Sequence, residues 1–101
     1  MTGPVAGRVA IRCIRPDLTT DRERDEREMT ATALRHHLAV DTSTVTIDPD
    51  VEGPWTTVAL AIARIHATHV IVPNLEHVKG IERQIRARAG LISVAHMAVT
   101  A

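Results

Sequence analysis

The sequence has almost no aromatic residues: Trp55 stands alone, with no Phe and no Tyr. A core must therefore be built from Val, Ile, Leu, Ala and Met. Each of these buries less area than an aromatic ring, so stability is expected to be modest or to be helped by a partner chain. Cysteine is as scarce as tryptophan. Cys13 is the only one, which excludes an internal disulfide and fits a reducing, cytoplasmic setting. An excess of either charge is also missing, since 12 basic residues meet 12 acidic ones. DNA binding draws most of its affinity from basic side chains that displace counterions from phosphates, so this balance gives no push toward nucleic acid. Residues 1–7 lack the apolar stretch of a signal peptide, and no apolar run approaches membrane-spanning length. No repeat or low-complexity segment interrupts the chain. The expected organisation is a flexible N-terminus over 1–7 and one domain over 8–101.

What is present alternates between two periods. Residues 8–14 form a short, β-branched apolar run that predicts a buried first strand ended by Pro16. Thr20, three residues before Glu23, has the capping-box spacing of a helix start. From there to about Val40 the pattern is helical, with Met29, Ala33, Leu34, His37, Leu38 and Val40 inward. The pairs Arg22–Glu26, Glu23–Arg27 and Arg24–Glu28 lie on its solvated face. Asp41 to Ser43 predict a turn, and 45–47 a second, more exposed strand. Pro54 opens a second helix reaching about His66, with Trp55 as a core anchor. Residues 70–72 predict a third strand stopped by Pro73. A third helix is expected over 78–89, with Gly90 as its C-terminal glycine, and a fourth strand over 91–99.

The predicted order is βαβαβαβ, which implies parallel pairing and a flavodoxin-like, three-layer α/β fold. The apolar first and third strands belong in the centre and the polar second strand at an edge, giving the sheet order 2-1-3-4. Ligands of such sheets sit beyond the carboxyl ends of the strands. Here that edge comprises 12–18, 48–53, 73–79 and His96 onward.

Arg12, Arg15, His77 and Lys79 are the candidate residues of an anion site at this edge. Asp17, Asp48, Asp50 and Glu52 would partly neutralise it. No glycine-rich phosphate loop accompanies them, because Gly3 to Gly7 precede the first strand and do not follow it. Beside Glu76, His77 could serve acid–base chemistry; the simpler reading is a solvated loop histidine. His66 and His69, or the adjacent His36 and His37, lack the three or four converging ligands of a metal site, so no metal and no cofactor is expected. Cys13 reads as a small buried hydrophobe.

Two segments carry a resemblance. Val9-Ala10-Ile11-Arg12-Cys13-Ile14-Arg15-Pro16 stands where the catalytic domain of serine recombinases has a strand running into Tyr-x-Arg-x-Ser. Val70-Ile71-Val72-Pro73-Asn74-Leu75-Glu76-His77-Val78-Lys79-Gly80 stands where that family has a strand running into Leu-Asp-Arg-Leu-Gly-Arg. Gly53-Pro54 and Gly90-Leu91-Ile92-Ser93-Val94 are similar to the segments between and after, so the resemblance covers about residues 8–99. The departures fall on the chemistry. Pro16 takes the nucleophile's place, Arg12 the tyrosine's and Ile14 the first arginine's. In the later motif Glu76 replaces Asp and His77 the first Arg, while the second Arg falls on Lys79 or Gly80. Residues 8–18 contain no serine, and phosphoryl transfer through a covalent intermediate needs an activated nucleophile and cations around the phosphate. The resemblance also ends before the family's dimerisation helix and DNA-binding domain. It therefore implies a resolvase-like domain without strand-exchange activity. Four parallel strands leave an edge open, and no helix follows the last strand, so association with a second copy or another protein is the expected mode of action. The alternatives are an anion- or nucleotide-binding domain, or a DNA-associated protein of a mobile element or phage that does not cleave.

Overall fold

The first strand, β1, spans Val9–Ile14, and its alternation is carried through to both faces. Ala10 and Ile14 belong to one buried cluster, Ile11 and Cys13 to the other. A strand with buried apolar residues on both faces, interrupted only by Arg12, belongs in the centre of a sheet. In the computed structural model, which describes residues 7–50 and 53–95, β1 is indeed flanked on both sides. The sheet has four strands in the order β2-β1-β3-β4, with β2 at Ala39–Thr46, β3 at His69–Val72 and β4 at Gly90–Ser93. All three strand pairs are parallel. The connecting helices are α1 (Arg22–Arg35), α2 (Pro54–Ile65) and α3 (Glu82–Arg86). β1 steps outward to β2 and the chain then steps back to β3. Right-handed crossovers therefore put α1 on one face and α2 with α3 on the other. No helix is long and apolar enough to cross a membrane among the described residues.

Several boundaries differ from expectation, each for a local reason. The start of α1 is capped by Asp21, whose carboxylate accepts from the Arg24 N–H (3.0 Å), and not by Thr20. Asp competes well at this position and lies one residue nearer the helix. The Thr19 hydroxyl instead donates to Asp25. α1 stops at Arg35 because His37 turns into the left-handed region (φ 59°), and the chain enters β2 soon after. Leu34 and His37 consequently face solvent, while Leu38, beyond the helix, is the buried residue. The turn expected at Asp41–Ser43 is a bulge within β2. Ala10 pairs with Val40 but Arg12 with Thr44, so β2 advances four residues where β1 advances two. Of the expected α1 ion pairs, Arg22–Glu26 closes at 3.0 Å.

The third helix is shorter than its pattern. A 3-10 turn at Leu75–Val78, capped by the Asn74 side chain, is separated from α3 by Gly80 (φ 92°). Gly90 is not a helix cap but the first residue of β4. A Cβ there would stand 2.6 Å from the His69 ring, which explains the glycine by close approach across the β3–β4 pair. The expected extension of the last strand past 95 lies outside the described residues, as do Glu52, His96 and nearly all of the N-terminal segment.

Candidate functional site

The carboxyl ends of β1 and β3 meet through one side chain. β3 ends at Val72, and the 3-10 turn that follows folds His77 back toward β1. His77 is 1% exposed, so it is a buried group and not the solvated loop histidine its position suggested. Its Nδ1 accepts the backbone N–H of Arg15 at 2.8 Å. A nitrogen that accepts carries no proton, so the neutral ring holds its proton on Nε2. Burial pushes the imidazole below the ordinary histidine value, Asp25 opposes this, and Arg15 adds to it. Near neutral pH His77 is therefore an uncharged donor whose Nε2–H has no protein acceptor among the described residues.

That ring lines a recess of about 200 Å³ together with Arg15, Lys79, Ile47, Ile81 and two prolines, Pro49 and Pro54. Pro54 is the first residue of α2, which brings the positive end of that helix dipole to the wall. Three of the four candidate residues, Arg15, His77 and Lys79, thus share one recess. Arg12 does not. It points to the α1 face, donating from Nη1 to Thr30 Oγ1 (3.2 Å) and from Nη2 to the Thr42 carbonyl (2.7 Å) in the β2 bulge. Its Nε is buried without a partner among the described residues. Side chains alternate along a strand, so Arg12 and Arg15 had no reason to converge once Arg15 left the strand at Ile14.

Arg15 is not idle at the recess. It forms a bidentate pair with Asp17, Nη2–Oδ2 2.7 Å and Nε–Oδ1 3.2 Å. This bond holds the guanidinium above and the Asp17 carboxyl below their usual values. The pair is partly exposed and worth little to stability, but it sets the position of the Arg15 head. A second cleft, about 590 Å³, adjoins the recess and shares Arg15, Ile47 and Pro49 with it. Its remaining wall is Pro16, Asp17, Thr46, Asp48 and Asp50.

The other sequence candidates fall elsewhere. Pro16 opens a 3-10 turn and has no side-chain oxygen. Glu76 is exposed and does not line the recess with His77, so the two form no acid–base couple. Cys13 is fully buried, and burial pushes its thiol up to about 12, which leaves it inert. His66 caps the end of α2, and His69 bonds Thr68 (2.9 Å). No cluster of metal-binding side chains occurs among the described residues. Trp55 is half-buried against the core, with Arg88 5.8 Å above its ring. The burial of His77 could have been anticipated from its place between Leu75 and Val78 in a turn that closes the strand end. Its partner, a backbone N–H 62 residues away, could not. No family model, no curated protein and no solved structure matches the chain.

Proposed function

We propose that this is a resolvase-like scaffold without strand-exchange chemistry, and that it binds a small anion of phosphate size at the carboxyl-end recess. The observation that carries this reading is His77: a donor on a 1% exposed ring, without an acceptor among the described residues, lining a recess with Lys79 and Arg15. The His77 Nε2–H stands at the recess, and an anion there would accept from it. Pro16 offers no nucleophile, so the reading is one of binding and not of turnover. The test is thermal unfolding with inorganic phosphate. Phosphate should raise Tm in the wild type, as expected for a ligand that binds only the folded state. The shift should vanish in Lys79→Ala and persist in Arg12→Ala. An equal shift in Lys79→Ala, or none in the wild type, overturns the reading. Duplex DNA at low salt is the control: binding that falls steeply with salt would favour a DNA-associated role instead.

A second reading, association with a second copy or another protein, rests on a groove of about 500 Å³ along β4. Leu75, Leu91, Ile92 and Val94 line it, with Arg35 from α1 and Arg86 from α3. β4 is an edge strand, and half-buried apolar residues along an unpaired edge invite pairing. Light scattering across micromolar concentrations tests self-association, and a clean monomer at all of them removes the homodimer.

A further inference from the structure

The recess and the cleft beside it differ in both size and chemistry, and they share a wall. Organic ligands occupy sites of roughly 300–1,000 Å³. The recess alone, about 200 Å³, falls below that range, whereas the adjoining cleft of about 590 Å³ lies within it. The recess presents donors and positive charge from His77, Arg15 and Lys79. The cleft presents the carboxylates of Asp17, Asp48 and Asp50 over an apolar floor of Pro16, Ile47 and Pro49. Each carboxylate has about four acceptor sites. Asp17 gives two to Arg15, and Asp48 gives one to the Asp50 N–H (2.9 Å). Acceptor capacity therefore remains, pointing to a ligand with donors at one end and an anion at the other.

We infer that the two cavities form one site for the monophosphate ester of a sugar, with the phosphate in the recess and the hydroxyls on the Asp48–Asp50 carboxylates. The inference rests on the anion-binding reading and adds the ligand's second half. What favours a sugar over an ammonium group is the apolar floor of Pro16, Ile47 and Pro49, because the three carboxylates outnumber Arg15 and their charge alone would also attract a cation. The carboxylates likewise disfavour a second phosphate, so a monophosphate fits better than a polyphosphate. The sugar's C–H faces would lie on the proline and isoleucine floor. The same chemistry is presented by a free sugar phosphate and by a nucleoside monophosphate.

Calorimetric titration of the full chain tests this with inorganic phosphate, ribose phosphate, adenosine monophosphate, free ribose and phosphoethanolamine. Ribose phosphate should bind more tightly than inorganic phosphate, by about tenfold for each hydroxyl–carboxylate bond formed. Asp50→Ala should remove this advantage and leave inorganic phosphate binding as tight or tighter. Asp48→Asn, which can keep the turn to Asp50, should reduce the advantage without unfolding the loop. Tighter binding of adenosine monophosphate than of ribose phosphate would identify a nucleotide as the source, and the reverse a free sugar phosphate. Equal affinities for inorganic phosphate and ribose phosphate, or phosphoethanolamine as the tightest ligand, overturn the inference and leave the anion reading standing. Absence of binding to inorganic phosphate and to ribose phosphate alike removes both.

Discussion

Against one face of the sheet lie α2, α3 and a cluster of twelve buried residues; against the other lie α1 and a cluster of six. The recess belongs to the first face. Ile47 and Ile81 in its wall, and Val78 next to His77, are members of the larger cluster. A site built against the larger buried cluster is held by side chains that have little room to move. The second face instead carries Arg12 between Ala10 and Ile14, a charge set into an apolar row. One helix leaves that side open enough for the guanidinium to reach Thr30 and the bulged carbonyl of Thr42. The two arginines of the β1 region thus have separate tasks: Arg15 serves the recess, and Arg12 ties α1 to the edge strand.

Ile11 and Ile71 allow the largest test of this contrast. Both are 0% exposed isoleucines on the central strands, and they point to opposite faces. Truncation to Ala of either should cost about 2–5 kcal/mol, depending on how far the surroundings collapse. Ile11→Ala should lie toward the upper end, since two helices and a dense cluster hold its neighbours apart. Ile71→Ala should lie toward the lower end, because α1 can settle into the gap. Urea unfolding measures both, and a larger loss at Ile71 would mean that the one-helix face is the more rigid.

The arginine and lysine variants should separate stability from binding. Arg12→Ala removes two hydrogen bonds to a charged group and should cost about 1–3 kcal/mol, with phosphate affinity unchanged. Arg12→Met should recover part of that loss, since it keeps the stem and removes the unpartnered Nε. Lys79→Ala, on an exposed position, should stay within about 0.5 kcal/mol of wild type and lose phosphate binding. Loss of phosphate binding in Arg12→Ala would show that the faces are coupled.

His77 makes stability depend on pH in a known direction. Its folded value lies below the ordinary one because burial disfavours the charged ring. The unfolded chain therefore takes up the proton first as pH falls. The stabilisation is complete above the ordinary histidine value of about 6.5 and declines from there down to the lower folded value. Protonated Nδ1 would also be a donor facing the Arg15 N–H, 2.8 Å away. His69 is shifted in the same direction, by burial first and then by Arg8 and His36, so the wild type alone does not isolate the effect. Urea midpoints of His77→Gln and wild type, compared above and below that window, do. The variant should lose less stability on acidification, and equal losses would assign the dependence to other groups.

The frame was legible because it rests on period and polarity. The apolar runs 8–14 and 70–72 place β1 and β3 at the centre, and the more exposed strand expected at 45–47 places β2 at the edge. The remaining features depend on three-dimensional neighbours. The bulge at Asp41–Ser43 looks like a turn because its composition is that of a turn, and only pairing with β1 keeps it in the strand. Gly90 looks like a helix cap, yet its reason lies in the His69 ring on the adjacent strand. At the site, Arg15, His77 and Lys79 were identified by their place at strand ends, which topology brings together. Arg12 is close to Arg15 in sequence, but strand alternation sends it to the opposite face.

The smallest effect comes from the helix ends and asks whether the two faces differ there at all. His37 after α1 and His66 after α2 both adopt φ 59°, and both are exposed. An L-residue in the left-handed region costs about 1–2 kcal/mol relative to its preferred conformation, whereas glycine enters it freely. Glycine loses roughly 0.5–1 kcal/mol of extra chain entropy on folding, so His37→Gly and His66→Gly should each gain about 0.5–1 kcal/mol net. This strain is confined to one backbone position, so the gain should be the same on both faces and independent of how many helices cover them. Chemical denaturation of the two single variants and the double variant measures it, with additive gains expected for sites that share no partner. A gain at His66 and a loss at His37 would show that the one-helix face draws on the His37 side chain, and that its sparser packing is supplemented at that corner.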